Sequence, residues 1–103
     1  MATKRLLDEK TRLSVAVMLA KSDREITFSN LRERLEMTDG NLSVHIAKMV
    51  ADGVIGERKE FVSRRPQTSY WITDLGRKEL RDHLARFANL TRGVMPRLER
   101  SLT

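Results

Sequence analysis

Residues 38–73 read TDGNLSVHIAKMVADG, VIGERKEF, VSRRPQ and TSYWIT, and these four pieces decide the fold. Thr38 stands where a helix N-cap belongs, its hydroxyl able to accept from a first-turn N–H that has no partner within the helix. Leu42, Ile46, Met49 and Val50 then recur at i, i+4, i+7 and i+8, one apolar face of a helix. Asp52-Gly53 closes it, because glycine takes the left-handed conformation beyond a helix end without a Cβ clash. Two runs of strand character follow at 54–62 and 67–73. The segment Ser63-Arg64-Arg65-Pro66 between them predicts a bend, since proline cannot donate to a ladder. In the second run Tyr70 and Ile72 share the face expected to meet the core, which leaves Trp71 on the other. A short helix beside a cationic hairpin has the shape and charge to suit a DNA groove.

Working outward, Thr27 predicts a second cap, with Asn30 at the position of a capping-box partner. The helix it opens buries Phe28, Leu31 and Leu35 and ends near Glu36-Met37. So little chain separates it from the next helix that the pair forms a tight helix-turn-helix. Residues 8–21 predict a first helix, with Leu13, Ala16, Val17 and Ala20 toward the core and Lys10, Arg12 and Lys21 outside. A short strand at 25–27 follows it. Downstream, Thr73 predicts the cap of a helix over 74–89 with the stripe Leu75, Leu80, Leu84 and Phe87. A last segment carries Val94, Leu98 and Leu102, interrupted by Gly93 and Pro96. The residue before a proline avoids the α region, so a break is expected near Met95.

The chain has 103 residues, 40% hydrophobic and 33% charged, a composition that supports one globular domain with a modest core. Its formal net charge of +6 attracts polyanions. That charge is uneven. Residues 1–53 hold nine Lys and Arg against eight Asp and Glu, whereas residues 54–103 hold eleven against six. The basic excess therefore lies in the hairpin and the C-terminal helices. Without cysteine there is no disulfide framework and no thiolate metal site. The start MATKRLLDEKTRL lacks the apolar stretch of a signal peptide, and no segment has the roughly 20 apolar residues of a membrane span. A soluble protein of the cytoplasm is expected.

With helix, strand, helix, tight turn, helix and hairpin in that order, the chain resembles the small winged-helix transcriptional regulators of the MarR and ArsR type. The likeness runs from about Leu6 to Leu84 and is most specific in TDGNLSVHIAKMVADGVI and FVSRRPQTSYWITDLGRKEL. The second stretch has that family's basic wing, threonine, aromatic strand, and Thr-x-x-Gly-Arg opening a helix. The resemblance implies an α+β, mainly helical fold, a winged helix-turn-helix with a three-helix core, a hairpin wing and C-terminal dimerisation helices. Residues 1–88 would form the DNA-binding domain and 89–103 the dimerisation segment. It implies a homodimer placing its third helices in successive major grooves of a palindromic operator, with the wings on the flanking minor groove or backbone.

Carried onto this chain, the DNA-facing positions are Thr38, Asp39, Gly40, Asn41, Ser43, Val44, His45 and Lys48, with Arg64 and Arg65 at the wing tip. Asn41 suits adenine, Lys48 guanine or phosphate, and Ser43 with the helix N-terminus a phosphate. Val44 and Ala47 depart from the basic or polar residues frequent in relatives. Val44 suits a thymine methyl instead, and with few direct base readers specificity rests partly on DNA shape. The implied dimer interface takes Leu6, Leu7, Trp71, Leu84, Phe87, Val94, Leu98 and Leu102.

The exclusions are clear. The two histidines, His45 and His83, fall on different helices, and without cysteine they make a poor metal site. Asp39 and Asp52 read as a helix-dipole complement and a turn residue rather than acid-base groups. No Ser/His/Asp set, paired-carboxylate spacing or phosphate loop appears, so neither an enzyme nor a cofactor is expected. Two other readings stand beside the regulator, a winged helix that docks on protein and a nonspecific architectural DNA binder. Relatives sense phenolic ligands, metals or oxidants, and the place for a pocket here is the dimer interface between the first and C-terminal helices. None is expected in so short a chain, and a small-molecule effector is left open.

Overall fold

The structure, a computed structural model, describes residues 5–103. The first four residues of the domain expected at 1–88 therefore lie outside the described residues. A 3₁₀ turn, Leu6–Asp8, leads into α1 (Lys10–Lys21), β1 (Ile26–Thr27), α2 (Phe28–Leu35) and α3 (Asp39–Ala51). Then come β2 (Ile55–Val62), β3 (Arg65–Ile72), α4 (Asp74–Thr91) and α5 (Val94–Leu102). The strands form one antiparallel sheet in the order β1-β3-β2.

Three threonines cap as their spacing predicts. Thr27, Thr38 and Thr73 accept from the N–H groups of Asn30, Asn41 and Gly76 at 3.2, 3.2 and 3.0 Å. Each cap contributes about 1 kcal/mol relative to alanine. On α1 the capping group is a carboxylate, for Glu9 accepts from the Thr11 N–H. Burial alone would raise the Glu9 carboxyl, but the hydrogen bonds from Thr11, with His45 and Arg12 nearby, hold it below its usual value.

The core collects Leu31, Leu42, Met49, Ile55 and Val15, all fully buried, with Leu19, Ile46, Tyr70, Ile72 and Leu80 around them. The face of α1 is turned from the one expected. Val15, Ala16 and Leu19 are buried, while Leu13, Val17 and Ala20 only flank the core. The stretch LSVAVMLA is apolar on nearly every side, so its periodicity has no contrast to read. Arg12, expected outside, is half-buried, and its Nε donates to the Leu6 carbonyl at 2.7 Å.

The hairpin is tighter than Pro66 suggested. The turn is Ser63-Arg64 alone, both at positive φ (52° and 68°), and Arg65-Pro66 already belong to β3, opposite Val62 and Phe61. Counted from a two-residue turn, Val62–Arg65 is the closing hydrogen-bonded pair and Phe61–Pro66 the non-hydrogen-bonded pair beyond it. On its other side β1 reaches only Ser69 and Tyr70. The missing N–H of Pro66 therefore costs no ladder bond.

Two glycines are set by close approach. Trp71 stands opposite Gly56, and its indole lies on that residue, where an added Cβ would meet the ring at 2.3 Å. Gly76, in the first turn of α4, is buried against the Val54 carbonyl, which an added Cβ would approach to 2.0 Å. This contact brings α4 down onto the root of the hairpin.

The C-terminal helices depart most from expectation. Of the stripe Leu75, Leu80, Leu84 and Phe87, only Leu80 is buried. The break comes at Gly93 (φ 79°), not at Met95, which lies within α5. Pro96 sits in the first turn of α5, where a helix needs no N–H from it. α4 runs unbroken past residue 88 to Thr91, and α5 buries no residue. The radius of gyration is 16.3 Å, against about 13 Å for a compact domain of this length. α4 and α5 thus form an arm.

Candidate nucleic-acid interface

Two bonds hold the turn between α2 and α3, one closing α2 and one reaching α3. Glu36 adopts a left-handed conformation (φ 53°), and the Met37 N–H donates to the Arg32 carbonyl at 3.1 Å. Arg32 Nη1 also donates to Asp39 Oδ1 at 2.7 Å, and this carboxylate raises the arginine above its ordinary pKa. Asp39 is thereby engaged within the chain. It braces the turn while its side chain stays largely exposed.

His45 also has neighbours within the chain. It sits on the flank of α3 that meets α1, half-buried, with Nδ1 3.2 Å from Arg12 Nη1 and 3.5 Å from Glu9 Oε2. Ser43 donates its hydroxyl proton to the Gly40 carbonyl at 3.0 Å. What α3 turns outward is Gly40, Asn41, Val44, Ala47 and Lys48, with Val44 69% exposed.

The wing extends past the body of the domain. Its root is anchored by the Arg58–Glu25 ion pair at 2.6 Å. Burial pushes the Tyr70 phenol up to about 12, with Glu57 opposite it adding to the shift, so it stays neutral. At the tip Arg64 and Arg65 are exposed, and among the described residues neither has an acidic partner within salt-bridge distance. Between α3 and the wing lies an open cleft of about 480 Å³, bounded by Ser43 and Ala47 on one side and Lys59 and Thr68 on the other. Helix, cleft and cationic hairpin sit side by side, as the reading of residues 38–73 required.

Residues 11–91 match the winged helix DNA-binding domain family. The chain belongs to it. An uncharacterized protein of Methanocaldococcus jannaschii is 30% identical over 67 residues, covering 65% of this winged helix chain and 73% of that one. The structure of a transcriptional regulator homologue from Pyrococcus horikoshii OT3 superimposes with a TM-score of 0.78 at 29% identity, over 86% of this chain and 87% of that chain. A protein of Thermoplasma acidophilum shares the fold, with a TM-score of 0.69 at 22% identity over 97% and 98% of the two chains. The family is one of DNA-binding domains, not of enzymes.

The residues expected at a dimer interface divide. Leu84, Phe87, Val94, Leu98 and Leu102 lie exposed along the arm, joined by Leu90 and Met95, which the spacing argument passed over. Leu7 is instead part of this chain's own core, 3% exposed, because the 3₁₀ turn tucks it inward, and Leu6 packs against the same core. Trp71 remains 39% exposed, its indole resting on Gly56. There is an open cleft of about 550 Å³ between the start of α1 and α4, lined by Leu13, Leu84, Phe87 and Leu90. In its wall His83 Nδ1 lies 3.5 Å from Asp8 Oδ1. Among the described residues no group of three or more His, Asp or Glu could hold a metal ion, and no helix is long and apolar enough to cross a membrane.

Proposed function

We propose that this winged helix domain is a sequence-specific transcriptional repressor of the MarR and ArsR kind, acting as a homodimer on a palindromic operator in the cytoplasm. The observation that carries the reading is which polar groups the fold leaves free. Asp39 and His45 are consumed by contacts inside the chain, while Asn41, Lys48, Arg64 and Arg65 stay exposed on one helix and the hairpin beside it. In this reading α3 lies in the major groove, Asn41 meets a base edge, and the arginines neutralise flanking phosphates. Bound across a promoter, the dimer excludes polymerase.

Sequencing genomic fragments retained by the purified protein tests this. Recovery of a palindrome with half-sites about one helical turn apart supports the reading. Retention without sequence preference makes the protein architectural. Asn41→Ala separates readout from attraction. It should weaken binding to the recovered operator about tenfold or more per half-site while leaving binding to random duplex unchanged. Equal loss on both duplexes would remove Asn41 as a reader.

The apolar arm supplies the second copy's contact. Seven exposed apolar residues from Leu84 to Leu102 follow one another along α4 and α5, and α5 buries none of its residues among the described ones. Residues 89–103 thus act with the preceding turns of α4 as the dimerisation segment. Sedimentation equilibrium should give about twice the chain mass of 11.9 kDa, and Leu98→Glu should restore a single chain. A wild-type monomer with the arm intact would sink the dimer.

A further inference from the structure

Phe61 is 78% exposed, the most exposed aromatic ring among the described residues, and it stands near the end of the wing. Its cross-strand partner is Pro66, also exposed, so ring and pyrrolidine form an apolar pair, next to the exposed Val62, on a wing that carries Lys59, Glu60, Arg64 and Arg65. Nothing in the fold needs it there. The core face of the sheet ends at Tyr70, and β1 pairs no farther out than Ser69.

The pleat shows where the pair faces. Side chains two residues apart share a side of a strand, so Phe61 lies on the side of Lys59, and Pro66 on the side of Thr68. Lys59 and Thr68 line the cleft against α3, opposite Ser43 and Ala47. Phe61 and Pro66 thus continue the α3-facing surface outward, on the side that any duplex held by α3 would occupy. Lys59, on the same side and 3.9 Å from Glu57, and Arg64, at the turn, place positive charge beside them, while Arg65 falls on the opposite side. A protein surface matched to the cations of the wing would have to be acidic, whereas a duplex offers phosphates at the rim and apolar deoxyribose walls within the minor groove.

Resting on the DNA-binding reading above, we propose that Phe61, backed by Pro66, is a minor-groove contact. The ring enters the groove flanking each half-site and packs on its sugar walls while the wing arginines hold the phosphates. Apolar side chains in minor grooves are a recurrent means of gripping or kinking DNA. The contribution of such a contact is not ionic, and this distinguishes it from the arginines beside it.

The test is a salt titration of operator affinity for wild type, Phe61→Ala and Phe61→Leu, with hydroxyl-radical footprints, which read the minor groove. Phe61→Ala should bind about tenfold more weakly at every salt concentration, with the wild-type slope, and lose protection at the flanks of the site. Phe61→Leu should recover part of both. Affinity within twofold of wild type with the flanking footprint intact overturns the contact. So does a large fall in melting temperature or sedimented mass for Phe61→Ala, either of which would place the ring in the fold or in a protein interface. A wild-type chain that binds operator while the alanine variant is unchanged sinks this contact alone. A wild-type chain that binds no duplex sinks the DNA-binding reading as well.

Discussion

Gly76→Ala lowers the melting temperature by about 15 °C or leaves no folded protein. The added methyl would stand 2.0 Å from the Val54 carbonyl oxygen and 2.8 Å from Ile72 Cγ1. The first of these is backbone and cannot rotate away. Either α4 lifts from the hairpin root or the strand start moves, and both break the Thr73 bonds at the same seam. Overpacking of this kind costs about 3 kcal/mol, and for a domain of this size each kcal/mol shifts the melting temperature by roughly 4–8 °C. Thermal denaturation followed by circular dichroism measures it. Gly40→Ala is the control, for it lies in a helix with nothing within 4 Å of an added Cβ, and it should melt at or above wild type. A Gly76→Ala protein that melts within a few degrees of wild type would show the seam to be looser than described.

Arg64→Ala combined with Arg65→Ala should weaken operator binding by on the order of 10³-fold near 0.1 M salt and flatten its salt dependence. Lys48, Arg64 and Arg65 from two copies make six cations. At about 0.9 counterions released per phosphate contact, the wild-type log–log slope is roughly −5 and that of the double variant roughly −2. Unchanged affinity and slope would remove the wing from the interface. The tip geometry permits a sharper variant. Arg64 holds φ at 68°, a left-handed conformation that costs a side-chain-bearing residue about 1 kcal/mol and glycine almost nothing. Arg64→Gly should therefore raise the melting temperature while weakening DNA binding. Stability and affinity moving in opposite directions is a signature that general misfolding cannot produce.

Much of the architecture was legible wherever the signal is local. Thr27, Thr38 and Thr73 announce helix starts because a cap bonds to a backbone group three residues away, and Leu42, Ile46 and Met49 mark a face because polar residues lie between them. Legibility fails where the deciding partner is distant in sequence. The buried face of α1 cannot be read from a segment apolar all round. The place of Pro66 depends on how far β1 reaches, and the break at Gly93 rather than Met95 on where α5 starts.

The interface divides the same way. Arg64, Arg65, Asn41 and Lys48, which the resemblance singled out, are exposed. Asp39 and His45 are engaged by Arg32, and by Arg12 with Glu9, across gaps of 7, 33 and 36 residues. Phe61 was passed over because an aromatic residue in a strand ordinarily reads as core. Only the register shows that it stands beyond the last core residue.

Thr73 has a mechanical consequence. Its hydroxyl donates to the carbonyl of Gly53, at the end of α3, at 2.6 Å and accepts from Gly76, at the start of α4, at 3.0 Å. The reading head and the first length of the arm are thereby riveted, with no joint between them. In the proposed dimer each half is a caliper jaw, and the gap it measures on the duplex is set before DNA arrives. Inserting one base pair between half-sites rotates one jaw about 36° away from its groove, and the rivet offers no slack to follow. Any give must come from Gly93, the left-handed glycine at the bend between α4 and α5. Tolerance for operator spacing is then a property of that one residue, 42 positions beyond the end of the helix that reads the bases.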